Sequence, residues 1–488
     1  MSGESTSRRN FLRQLSCALC AGGVSTFLPQ LNMIGSALAA PQATVPGYKA
    51  LVCVYLAGGN DAWNFLMPYD QTRYDIYAAS RSGVYNATSN PSGLAIARTA
   101  LAGTQISDVS GSYALHPSTV DRTGPTQPGL RSLYNQGKLA LLSNIGTLIR
   151  PITKTEYNAN SALRPPQLYS HSDQENLWHI GRTSPASIGW GGQVADRVRA
   201  PNVNQTLSPC ISISGGNRFE VGASTFPYQM SSSGLTAVSG TGTTGANFQR
   251  AQALQQMLDA TYQSPYQDEY RNILQRSRDL YSLLNSGLAT GGIADPNTFT
   301  TSFPNESLAN QLKMVARMIK LSRDTSFNVQ HQRQIYYVRI GGFDMHDNLM
   351  STGTNGHANL LARVSQALGA FWLALGEIGA QNEVTTFTMS EFARTLSTNG
   401  NGSDHAWGSV NMILGGKVLG GKIYGAFPDQ TLNGPISLSR GQTIPAISVD
   451  QMAATLASWM GVTSSTDLNT IFPNLPNFAS SNLGFMAP

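Results

Sequence analysis

Residues 48–56 read YKALVCVYL, an apolar run without alternation that stops at Ala57-Gly58-Gly59. A strand with one wet face alternates apolar and polar residues. A continuous run belongs to a strand covered on both faces, as in a parallel sheet between helical layers. Buried runs of the same kind return at 139–145, 335–340 and 384–389, with a short strand expected at 210–214 and a shorter apolar segment at 412–414. Helical spacing is read at 127–136, 188–198, 248–284, 308–322, 358–378 and 449–460. The expected fold class is therefore α/β, a three-layer arrangement with a mixed, mostly parallel sheet between helices. The Ser/Gly/Thr-rich stretch 231–246 and the helices after it are expected to form a loop-rich and helical insertion at about 215–330. That insertion interrupts a single domain spanning 41–488.

The first forty residues are read separately. Ser7-Arg8-Arg9-Asn10-Phe11-Leu12-Arg13 carries the twin-arginine export pattern, a mildly apolar stretch follows at 15–38, and Ala37-Leu38-Ala39 supplies a small-x-small cleavage site. Residues 1–40 are expected to be a twin-arginine signal peptide, with the export machinery as a partner and a periplasmic or secreted destination. Setting aside Arg8, Arg9, Arg13 and Glu4 lowers the formal charge from +5 to +3. With no Lys/Arg cluster elsewhere, nucleic acid is not expected as a partner. No run approaches ~18 apolar residues, so no transmembrane segment is expected. Cys53 and Cys210 sit in apolar, strand-like segments and read as buried thiols rather than a bridge. Gly240-Thr-Gly242-Thr-Thr-Gly245 has the outline of a dinucleotide loop, but no buried strand precedes it, and it reads as a flexible loop.

Ligands of α/β sheets gather outside the carboxyl ends of the strands. Unusual polar groups follow three of the expected strands: Asn60-Asp61, then Asp344-Met345-His346-Asp347, then Ser390-Glu391-Phe392-Ala393-Arg394. Asp404-His405 lies soon after, and Tyr169-Ser170-His171-Ser172-Asp173 adds hydroxyls and an imidazole. Charged residues make up only 12% of the chain, and three of its seven histidines lie within two residues of an Asp in these segments. Asp and His gathered at strand ends suit one or two divalent metal ions, which can bind the attacking and leaving oxygens of a phosphoryl or sulfuryl transfer. Singly, such residues also cap helices and turns. His116, His179, His331 and His357 lack such company and read as surface or core histidines.

In order, the motifs are L-x-G-G-N-D, S-H-S-D-x-x-x-x-W, G-G-F-D-x-H-D-N, S-E-F-A-R-T and N-G-x-G-S-D-H-A-W-G. With the twin-arginine signal they resemble the exported bacterial family known as domain of unknown function 1501, over almost the whole mature chain. That family is similar to the alkaline phosphatase/sulfatase superfamily. The resemblance implies an alkaline-phosphatase-like sheet and a paired metal site drawn from Asp61, Asp344, His346, Glu391, Asp404 and His405. Glu391-Phe392 stands where the superfamily has Asp-His, so an imidazole is lost there. Asp404-His405 either replaces it or matches the superfamily's last histidine. Ser170 and Ser172 are the nucleophile candidates, and His171 is either catalytic or a ligand. Arg394 either binds an anionic oxygen or orients Glu391. The expected function is an exported metal-dependent hydrolase of a phosphate or sulfate ester, acting on a small anionic ester or an envelope polymer. The alternative is a non-catalytic cell-envelope assembly or binding protein that retains the fold.

Overall fold

The computed structural model describes residues 47–122 and 127–488. The expected signal peptide lies outside the described residues. The apolar run forms β1 (Lys49–Leu56), the first strand of a nine-stranded sheet. A small antiparallel sheet, β2 (Leu66–Pro68), β3 (Gln105–Asp108) and β4 (Gly111–Leu115), stands beside it. The large sheet continues with β5 (Leu139–Gly146), β6 (Cys210–Ser212), β7 (Tyr228–Gln229), β8 (Arg333–Ile340), β9 (Val384–Met389), β10 (Ser409–Gly415), β11 (Lys422–Tyr424) and β12 (Ile447–Ser448). Its order is β11-β5-β10-β9-β1-β8-β6-β7, with β12 also paired to β5. Every pairing is parallel except those that β10 makes with β5 and β9. The sheet is thus mixed and mostly parallel, as the apolar runs require.

Alternation along β1 separates two cores. Ala50, Val52, Val54 and Leu56 join one cluster, with residues of helices Ser307–Arg323 and His357–Glu377. Leu51, Cys53 and Tyr55 join the other, with residues of helices Trp190–Val198 and Val449–Met460. Each β1 side chain at 50–56 has no more than 2% of its surface exposed, so both faces of the strand are dry. At about 25 cal/mol per Å² of apolar surface, this two-sided burial is the main term holding the central strand in place. Cys53 and Cys210 are buried, unbridged thiols. Among the described residues no helix is long and apolar enough to cross a membrane.

The helical reading over 248–284 is divided in the structure. Helix Gly245–Asp259 ends and helix Pro265–Leu288 begins at a proline in its first turn, where the missing N–H costs nothing. Helix Ser307–Arg323 packs on β8 and belongs to the helical layer. Helices Gln71–Ser80, Lys154–Ala159, Ser465–Ile471 and His171–Ile180 were not anticipated; the last starts within the Ser-His-Ser-Asp segment.

Candidate metal centre

Register decides which loops meet. Leu56 pairs with Ile340 and Tyr55 with Met389, so β1, β8 and β9 end at one edge and release segments 57–61, 341–347 and 390–395 there. β10 runs antiparallel to β9, so its amino end lies at that same edge and delivers His405. His171 arrives from outside the sheet, at the first position of its helix. Trp178 anchors that helix by donating its indole N–H to Glu391 O at 2.9 Å.

The turn after β1 explains its glycines. Gly58 has φ +117°, and a Cβ there would stand 2.2 Å from Asp344 N. Gly59 has φ +79°, and its Cβ would meet the Phe392 ring at 2.5 Å. Only glycine lets these segments approach so closely.

Asp344, His346, His405 and His171 converge. Asp344 Oδ1 lies 3.2 Å from His346 Nε2 and 3.4 Å from His405 Nε2, and Oδ2 lies 3.4 Å from His171 Nε2. The two Nε2 atoms of His346 and His405 are 2.9 Å apart. Suitable ligand atoms of His171, Asp344 and His405 all fall within 4.8 Å of one another. Phe392 supplies an apolar wall, stacking on His405 at 4.4 Å and contacting His171 at 4.9 Å between ring centroids.

The far nitrogen of each ring is held by an acceptor. His171 Nδ1 donates to Glu391 Oε1 (2.8 Å), a buried carboxylate that also receives Gly58 N–H (2.7 Å) and Tyr55 OH (3.1 Å). His346 Nδ1 donates to Asp404 Oδ1 (3.0 Å), and His405 Nδ1 to Tyr169 O (2.7 Å). Tyr169 has φ +74°, a costly conformation for a bulky residue, at the position whose carbonyl meets His405. These partners place the imidazole proton on Nδ1, so each Nε2 turns a lone pair inward. Metal-binding histidines are oriented by their second ring nitrogen in this way.

Three lone pairs therefore face one carboxylate. His171 Nε2 is buried and has no hydrogen-bond partner. An uncompensated cluster of acceptors at these distances is repulsive, and a cation among them removes the repulsion. Metal–ligand bonds of about 2.0–2.2 Å place tetrahedral ligand atoms roughly 3.4 Å apart. The 3.2–3.4 Å separations to Asp344 fit that spacing, the 2.9 Å between His346 Nε2 and His405 Nε2 is shorter, and the mutually close set is His171, Asp344 and His405. A nitrogen-rich set with one carboxylate suits zinc and similar transition ions better than magnesium or calcium. The hydrogen bond to Glu391 pushes His171 above the usual imidazole range, whereas burial pulls His405 below it. Burial acts to raise Asp344, but the Arg394 hydrogen bond and charge, with the neighbouring imidazoles, outweigh it and leave the carboxyl below its usual range.

The other expected site residues take different positions. Asp61 is buried in an ion pair with the fully buried Arg81 and also caps Trp63 N–H. Glu391 and Asp404 orient histidines rather than facing the cluster. Arg394 is fully buried, with N–H groups directed at Gly58 O, Gly59 O, Ser403 O and Asp344. It therefore braces the glycine turn and Asp344, and presents no surface to an incoming anion. Ser170 Oγ donates to Asp173 Oδ2 at 2.6 Å, and Ser172, two residues on, is exposed. Arg440, which pairs with Asp404 Oδ2, and Asn399, which donates to Asp404 Oδ1 at 3.1 Å, complete the His346 support. Neither carries a signal in one sequence. His116, His179, His331 and His357 are all buried.

A family model described as "Protein of unknown function (DUF1501)" matches residues 48–466. No curated protein is matched. Among solved structures, Ps i-CgsB in complex with k-i-k-neocarrahexaose is 10% identical, with a TM-score of 0.34, over 90% of this chain and 77% of that one. Ps i-CgsB alone gives 9% identity and a TM-score of 0.32 over the same shares. A mutant of the alkaline phosphatase PafA gives 11% identity and a TM-score of 0.24, over 72% of this chain and 64% of that one.

Proposed function

For a chain that belongs to the DUF1501 family, whose description assigns no activity, we propose that it is an exported metal-dependent hydrolase of phosphate or sulfate esters. One observation carries this reading: three imidazole Nε2 atoms converge within 3.2–3.4 Å of the Asp344 carboxylate. His171, Asp344 and His405 would hold one divalent ion, with His346 beside them. Such an ion supplies Lewis-acid polarisation of an ester oxygen and a lowered pKa for bound water.

The chain's own residues do the rest. Glu391, Asp404 and the Tyr169 carbonyl keep the imidazoles in the Nδ1–H form. Arg394 fixes Asp344. Ser170 is the better-placed nucleophile, because Asp173 accepts its hydroxyl hydrogen bond and can take the proton. A small anionic ester reaches the centre from solvent, since the side chains of Asp344 and His346 are 48% and 43% exposed. An envelope polymer carrying such an ester would reach it the same way.

A second reading, a non-catalytic envelope assembly or binding protein, draws on Asp61. Its capture by Arg81 leaves one metal position where the family resemblance implied a pair. Metal analysis of the folded chain, with assays on 4-nitrophenyl phosphate and sulfate, separates the two. The hydrolase reading expects about one equivalent of bound metal and turnover abolished by His346→Ala or His405→Ala. Bound metal below about a tenth of an equivalent, with no turnover, would sink it.

A further inference from the structure

A second site stands away from the metal centre. Helix Pro265–Leu288 turns Ile273, Arg276, Ser277 and Leu280 toward the body of the protein, an i, i+3, i+4, i+7 stripe on one helical face. Opposite lies β7, the last strand of the large sheet. The two do not close on each other, and a cavity of about 630 Å³ remains between them. Its floor is apolar, with Leu207, Met230 and Leu280 buried in the main core.

The charge on the walls is one-sided. Arg199 and Arg276 line the cavity, and no Asp or Glu does. Arg276 spends one guanidinium nitrogen on Glu269 at 2.8 Å, and Arg199 makes a long 3.4 Å contact with Gln205. A guanidinium carries five N–H donors, so both retain capacity. Thr225, also on the wall, is 2% exposed and its buried hydroxyl has no hydrogen-bond partner.

We infer that this cavity binds an amphipathic anion, a small carboxylate with an aliphatic or aromatic body. The size falls within the roughly 300–1,000 Å³ of small-molecule sites, which favour boundaries between structural units. The apolar body would displace water from the Leu207–Met230–Leu280 floor, while the carboxylate pairs with Arg199 and Arg276. The site is independent of the metal centre and of any hydrolysis there.

The test is a fluorescence titration of the full chain with 11-(dansylamino)undecanoic acid, run beside the corresponding alcohol. One saturable site is expected, binding the acid about tenfold more tightly than the alcohol, with that preference lost in the Arg199→Ala/Arg276→Ala double variant. Ser277→Trp, at an exposed position of the stripe, should block the cavity and abolish saturable binding. Absent saturable binding, equal affinity for acid and alcohol, or unchanged binding by Ser277→Trp overturns the inference. Metal content measured on the same samples should be unaltered by all three substitutions.

Discussion

His346 Nε2 and His405 Nε2 face each other across 2.9 Å while the opposite ring nitrogen of each is held by an acceptor. While both rings are in the Nδ1–H form, neither has a proton to offer the other. Chelating the metal should therefore leave this pair repulsive and lower the melting temperature, and adding zinc should restore it. At a hundredfold excess over Kd a ligand contributes about 2.7 kcal/mol of stability. Identical melting curves with and without chelator would count against a cation here.

Glu391→Gln keeps the size of the buried side chain but removes the charge that holds His171 Nδ1–H. Metal affinity should fall roughly 10–100-fold, as is typical when an orienting partner is lost. Competition with a fluorescent chelator measures this directly, and unchanged affinity would show that Glu391 does not orient the ring.

Asp61→Asn separates structure from ligation. Removing one partner of a buried ion pair costs about 3–5 kcal/mol, so denaturant unfolding should show a large loss of stability. Metal content should stay unchanged, because Arg81 rather than the cluster occupies Asp61. Loss of metal with stability intact would return Asp61 to the ligand set.

Gly58→Ala should destabilise the chain, since its Cβ meets Asp344 N at 2.2 Å and φ is +117°. Gly341→Ala has open space around the added methyl and should be tolerated. Strained positions of this kind cost of order 1–3 kcal/mol. Equal melting temperatures for the two variants would contradict the close packing of the 57–61 and 341–347 segments.

Glu220 is fully buried, and burial raises its carboxyl to about 8. Between its unfolded value near 4.3 and about 8, the native state holds a proton that the unfolded chain has lost. The contribution of Glu220 to stability should therefore fall as pH rises through that window, opposite in sign to that of the buried, depressed His116, His179, His331 and His357. Thermal melts of wild type and Glu220→Gln from pH 5 to 9 isolate it, and a stability difference between the two that rises in favour of wild type across the window would refute it.

The long strands of the central sheet and the polar segments at their ends were legible because both are local. A two-sided buried strand needs an unbroken apolar run, and a sharp turn needs glycine, so Ala57-Gly58-Gly59 marks the end of β1 without reference to anything distant. Helix His171–Ile180 was harder to see. Its polar first turn resembles a loop, and its anchors to the sheet edge are bonds from His171 and Trp178 to Glu391, more than 200 residues away.

Sequence alone determined that Asp344, His346 and His405 would lie near one sheet edge, since strand direction and turn residues follow from local pattern. It did not determine which carboxylates face inward. Asp61 and Asp344 both follow strands of the parallel core, yet Arg81 captures the first and Arg394 steadies the second. Glu391 and Asp404 carry the same charge as Asp344 and lie behind the imidazoles. A carboxylate's role depends on which donor reaches it first in the packed interior, and those donors come from tens to hundreds of residues away. Only the tertiary structure made that assignment.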